Sequence, residues 1–497
     1  MKEEYMTTSN NAQSRSVLQS IARRAMLDRG LAPDFSPQTL AQLSGIKETP
    51  PKLQGQVRDL KSLRWCSIDN DDSRDLDQLT ACEALEGGAV KVLVAIADVD
   101  SIVKKRSAID DHARLNTTSV YTAAQIFPML PEKLSFDITS LNCGAERMAM
   151  IVEMIFSADG VLQGSSNYQA VVCNQAKLAY SSVAAWLTGS MPTPFEIAKN
   201  AGLAEDLRLQ DRTAQKLKAL RRDNGALDLE TIQPNPVFDG NSLTALVGQK
   251  TDRAKSIIED FMIAANGVSA RYLSAKDLPS LRRVVRTPKR WDRIVELAAT
   301  HNFPLSQTPD PKQLEQFLAR AKAADPDRFP DLSLSVIKLL GPGEYVVELP
   351  GTIAPGHFGL AVVDYAHTTA PNRRYPDIIT QRLLKAAMTG QAPPYSTEEL
   401  ETLAKHCTEM EDKAKKVERQ VVKSAAAMLL EPRIGERFDA FVTGASDKGT
   451  WVRIIDPPVE GKLMNGAKGL DVGVHLRVQL VSTNIERGFI DFAKENF

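Results

Sequence analysis

Cysteine is scarce in this chain, and its five copies are scattered: Cys66, Cys82, Cys143, Cys173 and Cys407 form no CxxC pair. That argues against a zinc ribbon and a disulfide framework and favours reduced packing residues. Histidine is equally thin, with six residues and no metal-ligand spacing. No apolar run reaches the length of a membrane span, and the polar start Met1-Lys2-Glu3-Glu4 lacks a signal-peptide core. No membrane partner is expected, and a cytoplasmic location is. An excess of one charge is missing too: 61 Lys and Arg stand against 62 Asp and Glu, for a net charge of −1. Binding to nucleic acid would therefore depend on local basic patches. Three exist, at Lys216 to Arg222, Arg282 to Arg290 and Lys413 to Lys423, and each alone reads more readily as a solvated face than as a phosphate track.

What is present is an ordinary globular composition, 43% hydrophobic and 25% charged over 497 residues, enough for several domains. Its unusual stretch is Asp69-Asn70-Asp71-Asp72-Ser73-Arg74-Asp75-Leu76-Asp77-Gln78, with five aspartates in nine positions. Carboxylates so close repel one another unless cations hold them. Hard oxygens in a cluster suit Mg²⁺, and paired ions about 4 Å apart serve phosphodiester hydrolysis. A solvated acidic loop is the plain alternative. An EF-hand loop is excluded, because Arg74 stands where Gly is required and Thr80 where the bidentate Glu belongs. The flanks, Leu63 to Ile68 and the apolar run Val90 to Asp98, read as core strands, so the acidic residues sit where a site would.

The spacing predicts a disordered start (residues 1–14), then a helical, helix-turn-helix-like module over 15–50. A plain helical hairpin packed on the next domain fits that module equally well. An α/β (α+β) unit follows over 56–430, with strands expected at 89–98, 148–156, 167–175, 281–286, 345–349 and 360–365. Asp252 to Leu273 is its clearest helix, and Ser396–Ala427 closes it with acidic residues first and basic residues last. Residues 433–497 alternate at period two between Gly-bearing turns and predict a small β-barrel, either an oligonucleotide-binding OB-fold or a purely structural barrel. Trp451, Arg453 and Arg477 are its candidate base and phosphate contacts.

Taken together, several segments resemble the ribonuclease II / ribonuclease R family of 3′→5′ exoribonucleases over roughly residues 56–492. The Asp69 to Gln78 run is similar to the catalytic signature, an Asp followed six residues later by Asp-x-Asp-Asp. Pro128-Met129-Leu130-Pro131, Lys177-Leu178-Ala179-Tyr180, Glu259 to Asn266, Thr369 to Tyr375 and the closing Glu486 to Phe492 resemble further family segments in the same order. The resemblance implies an RNB-type catalytic domain that degrades single-stranded RNA processively to nucleoside 5′-monophosphates, with magnesium, as a monomer. It implies that Asp69, Asp75 and Asp77 hold metal, with Gln78 as a neutral ligand, and that Arg373 stabilises the transition state. Tyr180 would stack on a base beside Lys177, Arg374 would be a weaker phosphate contact, and Glu259 would meet a 2′-hydroxyl.

The chain departs from the family in three places. Gln78 replaces the fourth aspartate and removes a negative charge. Leu229 stands where relatives often place a stacking phenylalanine. The 55 residues ahead of the catalytic unit are too few for paired cold-shock barrels, and the helical module is expected in their place. Two rivals follow: an RNA-binding paralogue weakened by Gln78, and a DNA regulator using the N-terminal helices.

Overall fold

A computed structural model describes residues 14–495 apart from 49, 52, 54, 231–232, 250–251, 327, 447–448 and 471–472. The expected disordered start lies outside the described residues except for Ser14. Mixed α/β architecture is what the chain adopts, ending in a closed barrel.

The site is organised by a seven-stranded sheet. Its strands are β1 (Arg58–Asp59), β2 (Cys66–Asp69), β3 (Gln78–Ala84), β4 (Val90–Ala97), β7 (Glu146–Phe156), β8 (Leu162–Cys173) and β9 (Ala176–Ala179). A short hairpin, β5 (Val120–Tyr121) with β6 (Ile126–Phe127), stands outside it. The spatial order is β1-β8-β7-β4-β3-β2-β9. The centre is the antiparallel run β3-β4-β7-β8, and β4 is covered on both faces, which is why Val90 to Ala97 reads as almost unbroken apolar sequence. One face is covered by the central helix Arg253–Ser274, whose Ile257, Phe261, Ala265 and Val268 join Val92, Val94 and Ile151 in the main core.

The strand expected at 360–365 is a correction: a 3₁₀ turn, Phe358–Leu360, and irregular chain occupy it, with only the isolated bridge His357 to Val362. The other five expected strands form, within a few residues of their expected ends. The hairpin β10 (Gln233–Asp239) with β11 (Ser242–Gln249) had no counterpart in the sequence reading. Strands β12 (Ser280–Val284) and β13 (Glu344–Glu348) pair antiparallel and flank three helices, Trp291–Thr300, Pro311–Ala324 and Phe329–Leu340, with their own apolar core.

The two N-terminal helices, Ser14–Leu27 and Pro37–Gly45, form where expected, with Ser36 capping the second through the Thr39 N–H. The first buries Leu18, Ile21, Ala22 and Ala25 against Met410, Ala414, Val417 and Val421 of the long helix Thr397–Leu430. The second lies on the helix Ala108–Asn116, where the Thr39 hydroxyl donates to the Ala108 carbonyl. These contacts support packing onto the body as the role of the module.

The connection between those helices is clamped at Asn116, which bonds both the N–H and the carbonyl of Ala32 at 2.8 Å. Beside it Phe35 packs on His112, with ring centroids 4.4 Å apart. Burial holds the His112 imidazole down from 6.5 to about 4. Because the folded value lies below the unfolded one, the stabilisation is complete above pH 6.5 and fades as the pH falls toward 4. That contribution is worth about 3 kcal/mol at most. His112→Gln should therefore flatten the fall in melting temperature between pH 6.5 and 4, read by thermal unfolding against pH; equal slopes would exclude the assignment.

The barrel comprises β14 (Arg437–Ser446), β15 (Gly449–Ile454), β16 (Glu460–Asn465), β17 (His475–Asn484) and β18 (Phe489–Lys494). Phe438, Ala440, Val442, Val452, Ile454, Val478, Leu480 and Phe492 fill it, and Ala426, Ala427 and Leu430 of the long helix plug one side. Among the described residues, no helix is long and apolar enough to cross a membrane.

Candidate active site

Strand pairing explains why residues far apart in sequence meet. β2 runs parallel to β9, and its last residue, Asp69, is in register with Ala179. The next residue, Tyr180, opens the helix Tyr180–Leu187, so carboxylate and ring leave the same edge of the sheet. β3 returns antiparallel beside β2, so residues 70–77 form a loop over that edge and Gln78 re-enters the sheet opposite Ile96.

A second loop closes over the first. Residues 369–374 precede the buried helix Tyr375–Thr389 and are tied to residues 117–119. The N–H of Ser119 donates to the Arg373 carbonyl at 2.9 Å, and the Tyr375 N–H donates to the Thr117 carbonyl at 2.8 Å. Asn372 is fully buried; its side-chain oxygen accepts from the Thr139 hydroxyl at 2.6 Å. Asp377 accepts from the Ala370 N–H at 2.8 Å and from the Arg374 guanidinium at 2.7 Å. Arg374 is thereby a fixed member of its own loop.

Asp77 joins the two loops. It is 1% exposed, and one of its oxygens accepts the Asn372 N–H at 2.8 Å while the other accepts Arg373 Nε at 3.1 Å. Burial pushes this carboxyl up to about 7, with Asp75 and Asp377 adding to the effect and Arg373 and the Asn372 N–H opposing it. Burial works against the Arg373 charge, but Asp77, Tyr121 and Asp75 raise its pKa above the ordinary guanidinium value. The Arg373 side chain is still 40% exposed and faces a cleft.

That cleft, about 630 Å³, gathers Asp69, Asp75, Gln78, Tyr180, Glu259, Arg373 and Arg374. Asp69 accepts from the Asn70 N–H at 2.7 Å and the Ser73 hydroxyl at 2.9 Å, and burial pushes its carboxyl up. Asp75 accepts from the Tyr121 hydroxyl at 2.5 Å. Lys255 lies 5.7 Å from the Tyr180 ring centroid. An adjoining cavity shares Glu259 and Leu360 with the cleft and contains Leu229.

Among the described residues, no three His, Cys, Asp or Glu converge as a ready-made metal cage. The cleft nonetheless offers two carboxylates, Asp69 and Asp75, and the amide oxygen of Gln78. That set fits a hard cation that takes one or two carboxylates and keeps its waters. Asp77 does not line the cleft, and its two oxygens accept from Asn372 and Arg373.

Several expected contacts lie elsewhere. Lys177 donates to the Asp71 carbonyl at 3.1 Å and so braces the acidic loop. Trp451, Arg453 and Arg477 belong to the barrel and take no part in the cleft. Arg453 is only 9% exposed, and burial holds its pKa down against the attraction of Asp331 and Glu460. Arg477 is exposed and lies 3.8 Å from carboxylate oxygens of Asp439 and Glu495. Two basic runs are also consumed internally. Arg282 is buried against Glu348 at 2.5 Å and Arg283 pairs with Glu411 at 2.8 Å. Arg221 pairs with Asp260, and Arg222 with Glu315 at 2.9 Å.

Sequence reasoning missed Tyr121 and Lys255. Lys255 could have been found, since it precedes Glu259 by four residues on the central helix and shares its face. Tyr121 carries no such signal: only the loop contacts bring it to Asp75.

The chain is 28% identical over 440 residues to Ribonuclease R 1 of Lactococcus lactis, covering 86% of this chain and 52% of the relative. It is 29% identical over 501 residues to Ribonuclease R of Escherichia coli, covering 93% and 60%. The chain thus spans between half and two thirds of the length of these relatives. A solved structure of Mycoplasma genitalium RNase R in complex with ribose-methylated single-stranded RNA shares the fold, with a TM-score of 0.86 at 22% identity, covering 95% of this chain and 77% of that one. The RNase II-type exonuclease C-terminal S1 domain matches residues 436–495, the barrel. The RNB domain matches residues 57–390, more than half of the sequence, and the chain therefore belongs to the RNB family.

Proposed function

We propose that this protein hydrolyses single-stranded RNA from its 3′ end and releases nucleoside 5′-monophosphates. The observation that carries the reading is the meeting, in one cleft, of Asp69, Asp75 and Gln78 with Tyr180 and the half-exposed guanidinium of Arg373. Carboxylates alone would repel a phosphodiester; a permanently charged fork beside them offsets that and suits a phosphoryl group gaining negative charge.

In the reaction, a water oxygen attacks the last phosphorus, the bond from phosphorus to the 3′ oxygen breaks, and that oxygen leaves with a proton. Asp69 and Asp75, with the neutral oxygen of Gln78, would hold magnesium, which when bound lowers the pKa of a water and offsets charge on the departing oxygen. Asp77 orients Arg373 by accepting its Nε, and it fixes the loop through Asn372. Tyr180 offers a ring for stacking the terminal base, an interaction worth about 1–3 kcal/mol and indifferent to sequence. Glu259, exposed on the wall of the cleft, is placed to accept from a 2′-hydroxyl and so to favour RNA over DNA. A monomer acting in the cytoplasm completes the proposal.

The second reading, an RNA-binding paralogue of weak activity, draws on Gln78 and on the commitment of Asp77 to protein donors. A 5′-labelled RNA separates the two. Under the first reading it shortens stepwise from the 3′ end with magnesium, stops with chelator, and resists when its 3′ end carries a phosphate. Binding without shortening in magnesium would reject the nuclease.

A further inference from the structure

Of the three basic runs in the sequence, Lys413 to Lys423 lines an open cleft, and there Lys416, Arg419 and Lys423 stand in no ion pair among the described residues. It lies along the long helix Thr397–Leu430, and with the helix Ser14–Leu27 and the barrel turn before β18 it walls a cleft of about 580 Å³. The cations facing that space are Arg24, Arg29, Lys416, Arg419, Lys423 and Arg487; the carboxylates are Asp28 and Glu486. Arg24 is paired with Glu486, which ties the N-terminal helix to the barrel, and Arg29 donates to the Gln420 side chain at 2.8 Å. Among the described residues, no carboxylate lies within ion-pair distance of Lys416, Arg419, Lys423 or Arg487. Phe489, the first residue of β18, is 56% exposed in the same cleft.

Unpaired cations around an exposed aromatic ring, in an open groove, are the composition that holds a single strand: phosphates on the cations, a base on the ring. A protein or lipid partner is less well matched, because the groove offers one apolar side chain and no continuous apolar face. The groove is also linked to the active site. Glu418, the neighbour of Arg419, accepts the Tyr121 N–H at 2.9 Å, and the Tyr121 hydroxyl holds Asp75.

We infer that this cleft binds the upstream part of a single-stranded RNA whose 3′ end occupies the active site. RNA as the ligand rests on the function proposed above; the cationic groove does not. The helix Ser14–Leu27 thereby gains a role beyond packing, since it supplies one wall.

The test compares wild type with Lys416→Ala/Arg419→Ala/Arg487→Ala and, separately, Phe489→Ala. Binding is read by anisotropy of a fluorescent oligoadenylate of about 25 nucleotides, in chelator so that no cleavage intervenes. The triple variant should bind about 10- to 100-fold more weakly, and its log K against log salt slope should shrink by about 2, from three lost phosphate contacts. Phe489→Ala should weaken binding about 10-fold and leave the salt slope unchanged. Cleavage of an oligonucleotide of about 5 nucleotides should match wild type in both variants, because the proposal places only the upstream part of a longer strand in the groove. Wild-type affinity and slope in the triple variant for the long strand would overturn the proposal, and so would an equal loss on long and short strands. If wild type cleaves neither strand, the nuclease reading falls while the binding measurements still decide the groove.

Discussion

Replacing Arg373 with alanine is expected to lower the cleavage rate by about 10³-fold, the scale of removing one preorganised donor from a developing anion. The same change should lower stability. Asp77 would stay buried at 1% exposure, and without the guanidinium its carboxyl, already pushed up to about 7, rises further and takes a proton. The loss therefore grows with pH toward about 3–5 kcal/mol, the cost of an unpaired buried charge. Rate and stability can be separated because Asp77 accepts from Asn372 as well. In alkaline solution, where Asp77 would have to ionise unpaired, adding Asp77→Asn to Arg373→Ala should restore much of the melting temperature, and it should leave the rate as low as before. Arg373→Lys keeps the charge but not the fork, so we expect an intermediate melting temperature and a rate still about 10²-fold down. Single-turnover kinetics with thermal melts measure both quantities. An alanine variant that melts early yet cleaves within about tenfold of wild type would make Arg373 a structural residue.

Asp75→Asn is expected to abolish measurable turnover at ordinary magnesium, with the half-saturating concentration raised by about 10²-fold or more. The carboxylate lost is one of the two that fit the ion, and its tie to the Tyr121 hydroxyl loosens with it. Gln78→Asp tests the other side of the same balance. It places a further carboxylate at a position only 8% exposed, next in sequence to Asp77. In chelator the new charge should lower the melting temperature through like-charge repulsion and burial. With magnesium the order should reverse, because an ion that binds only the folded state stabilises it in proportion to its affinity. The half-saturating magnesium should fall about tenfold. If neither melting temperature nor activity of either variant responds to magnesium, the ion is not held by this set of oxygens.

Much of this site was legible before any coordinates. Asp69, Asp75 and Gln78 stand within ten residues, and a run of acids between two apolar strands is a local pattern. The β4 strand, the central helix and the alternation of the barrel are local too, because burial on one face writes a period into the sequence. The order of the motifs Asp69 to Gln78, Lys177 to Tyr180, Glu259 to Asn266 and Thr369 to Tyr375 placed the chain in a family without showing how they meet.

What the sequence determined by itself was therefore which chemistry is present: hard oxygen donors, a guanidinium, an aromatic ring and a barrel. The tertiary structure decided which partner each group faces. Asp77 turns to Arg373 and Asn372, nearly 300 positions away, and no periodicity reports such a contact. Tyr121 reaches Asp75 only because residues 117–119 bond the Arg373 loop. The same holds for charge: Arg282, Arg222 and Arg419 look alike in a basic run, yet two are spent on Glu348 and Glu315 while the third faces an open groove. Charge is a property of the residue, but its availability depends on which carboxylates the fold brings within reach.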